Sequence, residues 1–481
     1  MTIAETPDTY QGAVPQEPDT GEGPLPRSDR EKVPFAMQDS HFVPRERYYD
    51  REFFELEKKH LWTKTWQMAA RLEEIPLPGD YVEYEVVGNS ILIIRQQDGG
   101  VRAMHNACRH RATELAKGCG RLPAGQIVCP FHGWRWNLDG SPANIFGADS
   151  FAPAAKDPRD LALVEVKVEV WAGMVWINMD PNACTLSEHL APVQEMLDGV
   201  GVGNMRVKWW KQVVLNANWK MVQEAFFEGY HTMQTHPQLM MGGGEEAGEA
   251  LNHGTVYRIF NGGHARFHTA PGETLAFLGE PGSETDAESF IEIARLSASG
   301  MDAMTLDRDV QIFEGLRNRV DTTSSGSFAE AAIAALYEYA EGAGIPMAPM
   351  SEKMNLWGGD IFLYPNYLML PQYGNCLVYR ARPHNDDPES TLFDVWSLTT
   401  YPEGQEPERA ELDGVFDKDD VENWGLIPRQ DFSNIERQQR GLHSHSYKAS
   451  RLSSVYEKSI ANMHHELDRY IARGIDSSKE R

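Results

Sequence analysis

The chain has 481 residues, of which 41% are hydrophobic and 24% are charged, as in an ordinary globular protein. This length is more than one compact core usually holds, so two domains are expected. The formal net charge of −26 argues against a nucleic-acid partner, because phosphate would be repelled. The charge favours a solubilising surface, and an acidic face that docks a basic electron donor is the second interpretation. No run of eighteen apolar residues occurs, so no membrane span is predicted.

The first 40 residues are rich in Pro, Glu, Asp and Gly, and they contain neither a basic start nor an apolar run. This composition predicts a disordered leader over residues 1–40 and not a secretory signal. A helix is expected next, over 51–61, because apolar residues recur there at helical spacing. Five cysteines in a chain of this length do not make a disulfide framework. Reduced thiols and a cytoplasmic location are therefore expected.

An all-β domain is predicted after this helix. Two β-rich runs, 81–87 and 91–95, flank the dipeptide Gly88-Asn89, which is a strong signal for a hairpin. Two further β-rich runs each lead into a loop that carries one Cys and one His. We therefore predict a first domain over 41–185 that presents both loops at its tip.

These two loops carry the most specific pattern in the chain. Cys108 and His110 form a Cys-x-His pair, and Cys129 and His132 form a Cys-x-x-His pair. Two thiolates and two imidazoles could hold zinc. They could also hold a Rieske 2Fe–2S cluster, in which two His replace two Cys on one iron. A zinc finger usually pairs Cys with Cys and His with His, whereas here each loop supplies one of each, so the pattern favours the Rieske cluster.

The second domain opens with a connecting helix predicted over 186–197 and a strand over 207–215. Helix formers then fill 220–227, and His231 and His236 follow five residues apart. If the helix loosens near the second His, both imidazoles can converge on one point. Such a pair lacks only a carboxylate to make the facial triad of iron(II) oxygenases.

The rest of the chain alternates between helical and β-rich stretches. Residues 242–350 are rich in Gly and Ala, which predicts an insertion of helices and loops beside the pocket, with a loose segment at Thr322–Ser327. Helices are expected within this insertion and near the end of the sequence, over 288–296, 328–339, 428–440 and 453–471. Strands of a curved antiparallel sheet are expected over 360–364, 367–371, 376–382 and 393–401. We expect part of the insertion to cover the mouth of the pocket.

The chain resembles the catalytic (alpha) subunit of the Rieske non-heme iron oxygenases, the aromatic-ring-hydroxylating family. The matching segments are Pro78-Gly79-Asp80-Tyr81, Cys108-Arg109-His110-Arg111, Cys129-Pro130-Phe131-His132-Gly133-Trp134, Asn218-Trp219-Lys220, Tyr230-His231 with His236, and Pro365-Asn366. By this resemblance the first domain binds a 2Fe–2S cluster through its two Cys and two His. The resemblance also implies that His231 and His236 bind a mononuclear iron.

Two further site residues are implied by the resemblance. The family places an Asp shortly before a helix with Asn-apolar-Glu and then Gln, and here that Asp is Asp431, the expected third iron ligand. Glu228 takes the position of a carboxylate that bridges a cluster His and an iron His across a subunit boundary. The family often has Asn at the position of Ala225, and the insertion is longer here than in many members, so the resemblance leaves the substrate open.

The implied fold is α+β. It consists of the all-β Rieske domain and a helix-grip (START-like) catalytic domain over 186–475, with an antiparallel sheet and packed helices. The implied cofactors are one Rieske 2Fe–2S cluster and one mononuclear Fe(II) per chain. NAD(P)H acts indirectly, because the sequence has no dinucleotide fingerprint and electrons would arrive through a reductase, with or without a ferredoxin. A homotrimer is expected, possibly with beta subunits.

The implied activity is hydroxylation, dihydroxylation or O-demethylation of an aromatic or other hydrophobic substrate with O2. The alternative is an electron carrier without catalysis, in which a Rieske domain is fused to a ligand-binding domain. A carrier has no need for His231, His236 and Asp431 to converge, so the geometry of these three residues discriminates between the alternatives.

Overall fold

The computed structural model describes residues 19–240, 255–269, 286–317, 328–349 and 359–479. The α+β class is confirmed, since a β-rich first part is followed by helices packed on an antiparallel sheet. The predicted loose segment Thr322–Ser327 lies outside the described residues. None of the helices within the described ranges has the length and apolar character needed to cross a membrane. The proposed domain boundaries stay a prediction.

Short strands build the first part of the chain. In chain order they are β1 (Phe42–Pro44), β2 (Gln67–Arg71), β3 (Asp80–Val86), β4 (Asn89–Arg95), β5 (Val101–His105), β6 (Cys119–Arg121), β7 (Gln126–Val128), β8 (Arg135–Asn137), β9 (Pro142–Asn144), β10 (Glu165–Trp171) and β11 (Met174–Asn178). Seven described strands form one sheet in the order β2-β11-β10-β5-β4-β3-β6, and β7, β8 and β9 form a small second sheet. The first Cys–His loop joins β5 to β6, and the second joins β7 to β8.

The predicted hairpin is present with its turn one residue earlier than expected. Val86 pairs with Asn89, so the two turn residues are Val87 and Gly88. Both have positive φ, 43° and 78°, as a type I′ turn requires. A positive φ is strained for a β-branched residue, and here Val87 is held by burial, with 8% of its surface exposed.

The second part contains a long antiparallel sheet. Its strands and the short strand that follows them are β12 (Arg206–Leu215), β13 (Thr255–Ile259), β14 (Ala265–Thr269), β15 (Asp360–Leu363), β16 (Tyr367–Gln372), β17 (Asn375–His384), β18 (Asp387–Thr399), β19 (Gly414–Val415) and β20 (Ala449–Arg451). In the described chain the sheet order is β13-β14-β15-β16-β17-β18-β12-β19, and β20 pairs with β1. Each predicted strand of this region is therefore confirmed, although β18 begins six residues before the expected start.

The helices in chain order are α1 (Arg27–Arg30), α2 (Arg51–Glu57), α3 (Pro158–Leu161), α4 (Leu186–Leu190), α5 (Val193–Gly199), α6 (Trp219–Glu224), α7 (Thr232–Thr235), α8 (Asp286–Met301), α9 (Asp307–Leu316), α10 (Phe328–Ala343), α11 (Leu426–Leu442) and α12 (Lys458–Lys479). A π-helical turn, Lys58–Trp62, continues α2 to nearly the predicted end. The predicted helix over 186–197 is instead two helices, because Pro192 has no N–H to continue α4. Sequence reasoning also missed α9.

The two faces of the large sheet have different partners. Phe362, Tyr379 and Phe393 lie in one core with Phe226, which follows α6, and Phe432 of α11. We call this the inner face. The opposite face packs against the β-rich first part through a second core that contains Trp66, Trp176, Ile361, Met369, Val378 and Trp396. The sheet therefore joins the domain that carries the Cys–His loops to the helices that carry His231, His236 and Asp431.

The leader prediction is wrong for its described half, residues 19–40. Met37 is fully buried, and its N–H donates to Asp468 Oδ2 over 2.8 Å. Lys32 Nζ lies 2.8 Å from Asp476 Oδ2, and Thr20 N donates to the carbonyl of Ile259. The polar composition misled the prediction, because this arm is ordered by contacts with α12 and β13 and not by its own propensity.

His264 takes part in a buried set of hydrogen bonds beside α4. Its Nδ1 accepts the N–H of Tyr364 over 3.0 Å, and its Nε2 donates to the carbonyl of His189 over 2.6 Å. His189 Nε2 donates in turn to the carbonyl of Tyr364. Gly263 fits the same corner, since a Cβ there would lie 2.6 Å from the Tyr364 ring. Protonation of His264 Nδ1 would break the bond from Tyr364, and burial lowers the pKa of His264 to about 3.

We expect this buried histidine to make the fold sensitive to acid. Below about pH 6.5 the unfolded chain binds a proton at this position while the folded chain does not, so the free energy of unfolding falls as the pH drops. Between pH 6.5 and 5 the loss is about 2 kcal/mol for His264. Denaturant unfolding at pH 7 and pH 5 should show a smaller loss in His264→Gln than in the wild type. The exposed-residue control His445→Gln should lose as much as the wild type, and equal losses in all three proteins would contradict the assignment.

Candidate metal centres

His231 and His236 flank α7 and do not continue α6. The Asn218 side chain caps α6 by accepting the N–H of Lys220 over 3.0 Å, and the helix ends at Glu224. His231 then precedes the single turn of α7, and His236 follows it. The expected loosened helix is therefore a break between two helices. One helical turn between the two residues brings both imidazoles to the same side, with ring centroids 5.4 Å apart.

Asp431 completes this group from a distant part of the chain. Its Oδ1 lies 3.0 Å from His236 Nε2 and 3.6 Å from His231 Nε2. One donor atom from each residue lies within 4.8 Å of the other two, the arrangement that a metal ion requires. The family pattern places this Asp before a helix, but α11 begins at Leu426 and Asp431 lies on its second turn, inside the helix expected over 428–440. The helix begins earlier than the pattern indicated, and its buried face carries the carboxylate inward.

Each histidine is oriented by a neighbouring acceptor. His231 Nδ1 donates to Glu228 Oε1 over 2.8 Å, and His236 Nδ1 donates to Gln430 Oε1 over 2.9 Å. These bonds leave both Nε2 atoms free to face Asp431. Partners of this kind fix the tautomer and orientation of metal-binding histidines. Sequence reasoning missed Gln430, and its only signal was its position directly before Asp431.

Glu228 is held close to His231 within the same chain. Its side chain is 10% exposed, and its Oε2 also accepts the backbone N–H of His231 over 2.9 Å. Gly229 N donates to the Tyr257 hydroxyl over 3.0 Å, which fixes the loop from the other side. Burial disfavours the imidazolium form, but the carboxylates of Glu228 and Asp431 outweigh it and raise the pKa of His231. The contact of Glu228 with a cluster histidine of another subunit stays a prediction.

Buried polar contacts hold helix α6 in place. Glu224 accepts from the Tyr48 hydroxyl over 2.9 Å and from His464 Nε2 over 2.8 Å. Lys220 forms a fully buried ion pair with Glu57 of α2. Burial raises the pKa of Glu224 to about 7. These contacts tie the helix that leads to the histidines to Tyr48, to α2 and to α12.

The surface beside the three residues is aromatic. The Phe226 ring lies 4.4 Å from Tyr379 and 5.4 Å from Phe393, measured between centroids. Ala225 is half-buried and packs on the same core. The Tyr379 hydroxyl lies 3.9 Å from the sulfur of Met301. The inner face therefore offers an apolar wall beside the His–His–Asp group.

The two Cys–His loops converge at the tip of the first domain. Cys108 and Cys129 are buried, with 5% and 2% exposed, and His110 Nδ1 lies 3.2 Å from His132 Nδ1. Each loop is closed by backbone bonds, from Cys108 N to Thr113 O over 2.9 Å and from Cys129 N to Trp134 O over 2.8 Å. Two sulfurs on the buried side and two imidazoles on the outer side match the donor set of a Rieske cluster.

The loop backbone also favours thiolate at one cysteine. Burial opposes ionisation of Cys129, but the N–H groups of Phe131 and His132 point at its sulfur and lower its pKa. His110 stacks on Trp134 with centroids 4.8 Å apart, which shields one side of the site. Phe131 lies at the outermost point, 59% exposed, with the Arg111 guanidinium 4.9 Å from its ring centroid. The residues present therefore fit a cluster whose histidine edge lies near the surface.

Comparison with known proteins agrees with both sites. A family model described as a Rieske [2Fe-2S] domain matches residues 65–154. A second model, described as the ring hydroxylating alpha subunit (catalytic domain), matches residues 202–473, more than half of the chain. The two matches imply a Rieske cluster in the first domain and a mononuclear iron in the second.

Two curated relatives match part of the chain. The carnitine monooxygenase oxygenase subunit of Acinetobacter pittii (strain PHEA-2) is 36% identical over 199 residues, which are 40% of this chain and 52% of the relative. The alpha subunit of 2-aminobenzenesulfonate 2,3-dioxygenase from Alcaligenes sp is 33% identical over 205 residues, which are 41% of this chain and 50% of the relative. The match thus spans about half the length of these relatives.

Solved structures share the fold at low identity. A quaternary ammonium Rieske monooxygenase superposes with a TM-score of 0.60 at 22% identity, covering 94% of this chain and 100% of that one. Naphthalene 1,2-dioxygenase from Rhodococcus sp. bound to indole superposes with a TM-score of 0.60 at 17% identity, covering 90% and 94%. With the family-model match over more than half of its length, the chain belongs to the family of Rieske oxygenase alpha subunits.

Proposed function

We propose that the chain is the terminal oxygenase component of a multicomponent Rieske non-heme iron oxygenase. The observation that carries this proposal is the convergence of His231, His236 and Asp431 within 4.8 Å. Two imidazoles and one carboxylate on one side of a metal ion leave its other positions open, as in the iron(II) oxygenases. When bound, the iron supplies the activation of O2, and the cluster supplies the electrons.

The protein residues have separate tasks in this proposal. Glu228 and Gln430 hold the two imidazoles with their Nε2 atoms inward, so that the iron site is formed before substrate arrives. Cys108, His110, Cys129 and His132 hold the cluster. The aromatic inner face around Phe226 and Tyr379 keeps water from the reacting centre and contacts an organic substrate. An aromatic or otherwise hydrophobic substrate fits this wall.

Electrons from NAD(P)H would reach the cluster through a separate reductase, with or without a ferredoxin. The exposed ring of Phe131 and the half-buried His110 and His132 support electron entry at the loop tip. We also propose a homotrimer, possibly with beta subunits, in which the cluster of one subunit serves the iron of its neighbour through Glu228.

The names of the relatives support oxygen insertion, but they cover different classes of substrate. One is a carnitine monooxygenase oxygenase subunit, and another is an aminobenzenesulfonate dioxygenase alpha subunit. Hydroxylation, dihydroxylation and demethylation use the same three iron ligands and differ in how the pocket presents the substrate. The proposed function therefore includes all three of these reactions.

Iron analysis of the purified protein tests the proposal against the carrier alternative. We expect three irons per chain, two in the cluster and one at the His–His–Asp group, and incorporation of label from 18O2 into an organic product. His231→Ala should lower the iron content by one while the cluster remains. Two irons per chain in the wild type, with no labelled product from a panel of aromatic and aliphatic amine substrates, would favour the electron carrier.

A further inference from the structure

Asp360 is a carboxylate on the inner face of the sheet that the mechanism does not use. It opens β15, and its pairing with Phe267 of β14 fixes its direction, because paired residues share a face. Phe267 pairs in turn with Tyr257 of β13. On the other side, the pair Ile361–Met369 places Asp360 opposite Leu370 of β16. Asp360 therefore lies in a row of otherwise uncharged side chains across four strands.

Two tyrosines on the inner face lie near both this carboxylate and the proposed iron site. Tyr257 lies two strands away, roughly 10 Å between backbones, and its hydroxyl contacts Gly229, next to Glu228. Tyr379 lies on the other side, two strands from β15, and it pairs with Leu368, which is two residues along β16 from Leu370. Burial and then the carboxylates of Glu228 and Asp360 raise the pKa of Tyr257. Burial and then Asp431 and Asp360 raise the pKa of Tyr379. Asp360 is thus within electrostatic range of the two phenols beside the iron group.

Asp360 has no compensating partner among the described residues. Asp360 is half-buried, and no hydrogen bond or ion pair to its carboxylate is formed there, whereas the buried carboxylates of Glu57 and Asp394 are paired with a Lys or an Arg. Burial alone raises the pKa of Asp360 to about 8. A protein seldom leaves a carboxylate unpaired in apolar surroundings, so its position calls for an external partner.

We propose that Asp360 binds a cationic nitrogen of the substrate and so restricts the oxygenase to organic cations such as quaternary or tertiary amines. A cation beside Asp360 favours the ionised form of its carboxyl group, which then supplies the opposite charge. A cation at Asp360 lies on the inner face that carries Phe226 and Tyr379, so a carbon attached to the nitrogen can approach the iron. This inference rests on the proposed function and adds its substrate class.

Binding of two isosteres to the holoenzyme tests the inference without relying on turnover. Glycine betaine has a trimethylammonium head, and tert-butylacetate has the same shape and carboxylate with a neutral carbon in place of nitrogen. By calorimetry we expect the wild type to bind glycine betaine at least about tenfold more tightly. Asp360→Asn, which keeps the shape of the side chain, should bind the two compounds with nearly equal affinity. Asp360→Glu should retain part of the preference.

The control Glu411→Gln removes an exposed carboxylate and should keep the full preference. Iron content and the cluster spectrum should be the same in all variants, which shows that folding and cofactor loading are unchanged. Equal binding of both isosteres by the wild type, or an undiminished preference in Asp360→Asn, overturns the role of Asp360. Should that protein still carry three irons and oxidise a neutral substrate, the oxygenase function stands and only the substrate class is wrong.

Discussion

We expect His231→Ala, His236→Ala and Asp431→Ala each to abolish turnover while the visible spectrum of the cluster stays intact. Each variant loses one of the three donors that lie within 4.8 Å, and the remaining two cannot hold iron in the same geometry. Loss of a direct ligand should exceed the roughly 10- to 100-fold effect of removing an outer partner. Turnover with a reductase, iron content and absorbance of the cluster are measured on the same preparations.

Replacement of a cluster cysteine should have the opposite effect and so distinguish the two metal centres. Cys108→Ser should bleach the reddish-brown cluster, because the buried thiolate is one of its four donors. His445→Ala replaces an exposed histidine and serves as the control, with turnover expected to be unchanged. Full activity in any variant of the three iron residues would show that its assignment is wrong, and a Cys108→Ser protein with normal colour and potential would defeat the Rieske assignment.

Glu228→Gln should keep both metal centres and slow the transfer of electrons between them. A glutamine can still accept the Nδ1–H bond of His231, so the ligand stays oriented, but the negative charge that would hold a second histidine is lost. Stopped-flow measurement of cluster reoxidation in a single turnover should show a rate lower by roughly 10- to 100-fold. Substrate binding should be close to that of the wild type.

Gln430→Ala is the matched control, because Gln430 orients His236 as Glu228 orients His231. It should weaken iron binding and leave cluster reoxidation normal once the iron site is filled. If Glu228 only orients its own histidine, Glu228→Gln will keep that bond and its cluster will be reoxidised at the wild-type rate, and only Gln430→Ala will respond to added iron. Wild-type reoxidation in Glu228→Gln would falsify the bridge.

The sequence predicted which residues converge at the two candidate metal centres better than it predicted the elements that carry them. Cys-x-His and Cys-x-x-His loops are short-range patterns, so their convergence at a domain tip follows from the strands around them. The His231–His236 spacing also predicted two residues that converge with Asp431, although the pattern suggested one loosened helix and the structure has two. Buried contacts, such as those of Lys220 and Glu224, help to fix where α6 ends. Local sequence patterns do not reveal such contacts, so they do not reveal the break.

Long-range contacts explain what sequence reasoning missed. Residues 19–40 have the composition of a disordered segment, yet Met37 is buried because α12 offers it a surface. Gln430 and Asp360 are single polar residues outside any sequence motif. Their proposed roles follow only from the way distant strands and helices pack together. Asp431 was identified through the resemblance, while its place on α11 follows from the apolar face that this helix turns to the core.

The contacts that the N-terminal arm and Arg47 make with α12 have a consequence for synthesis of the chain. Arg47 ion-pairs with Asp468, which lies 421 residues later, and both side chains are buried. At about 5–20 residues per second, the ribosome needs roughly 20 to 85 s to make that partner after Arg47 has emerged. Throughout that interval the arm has no α12 to dock on, and Glu224 lacks His464. The support beneath the iron helix is therefore completed late in translation, well after the Rieske loops can fold.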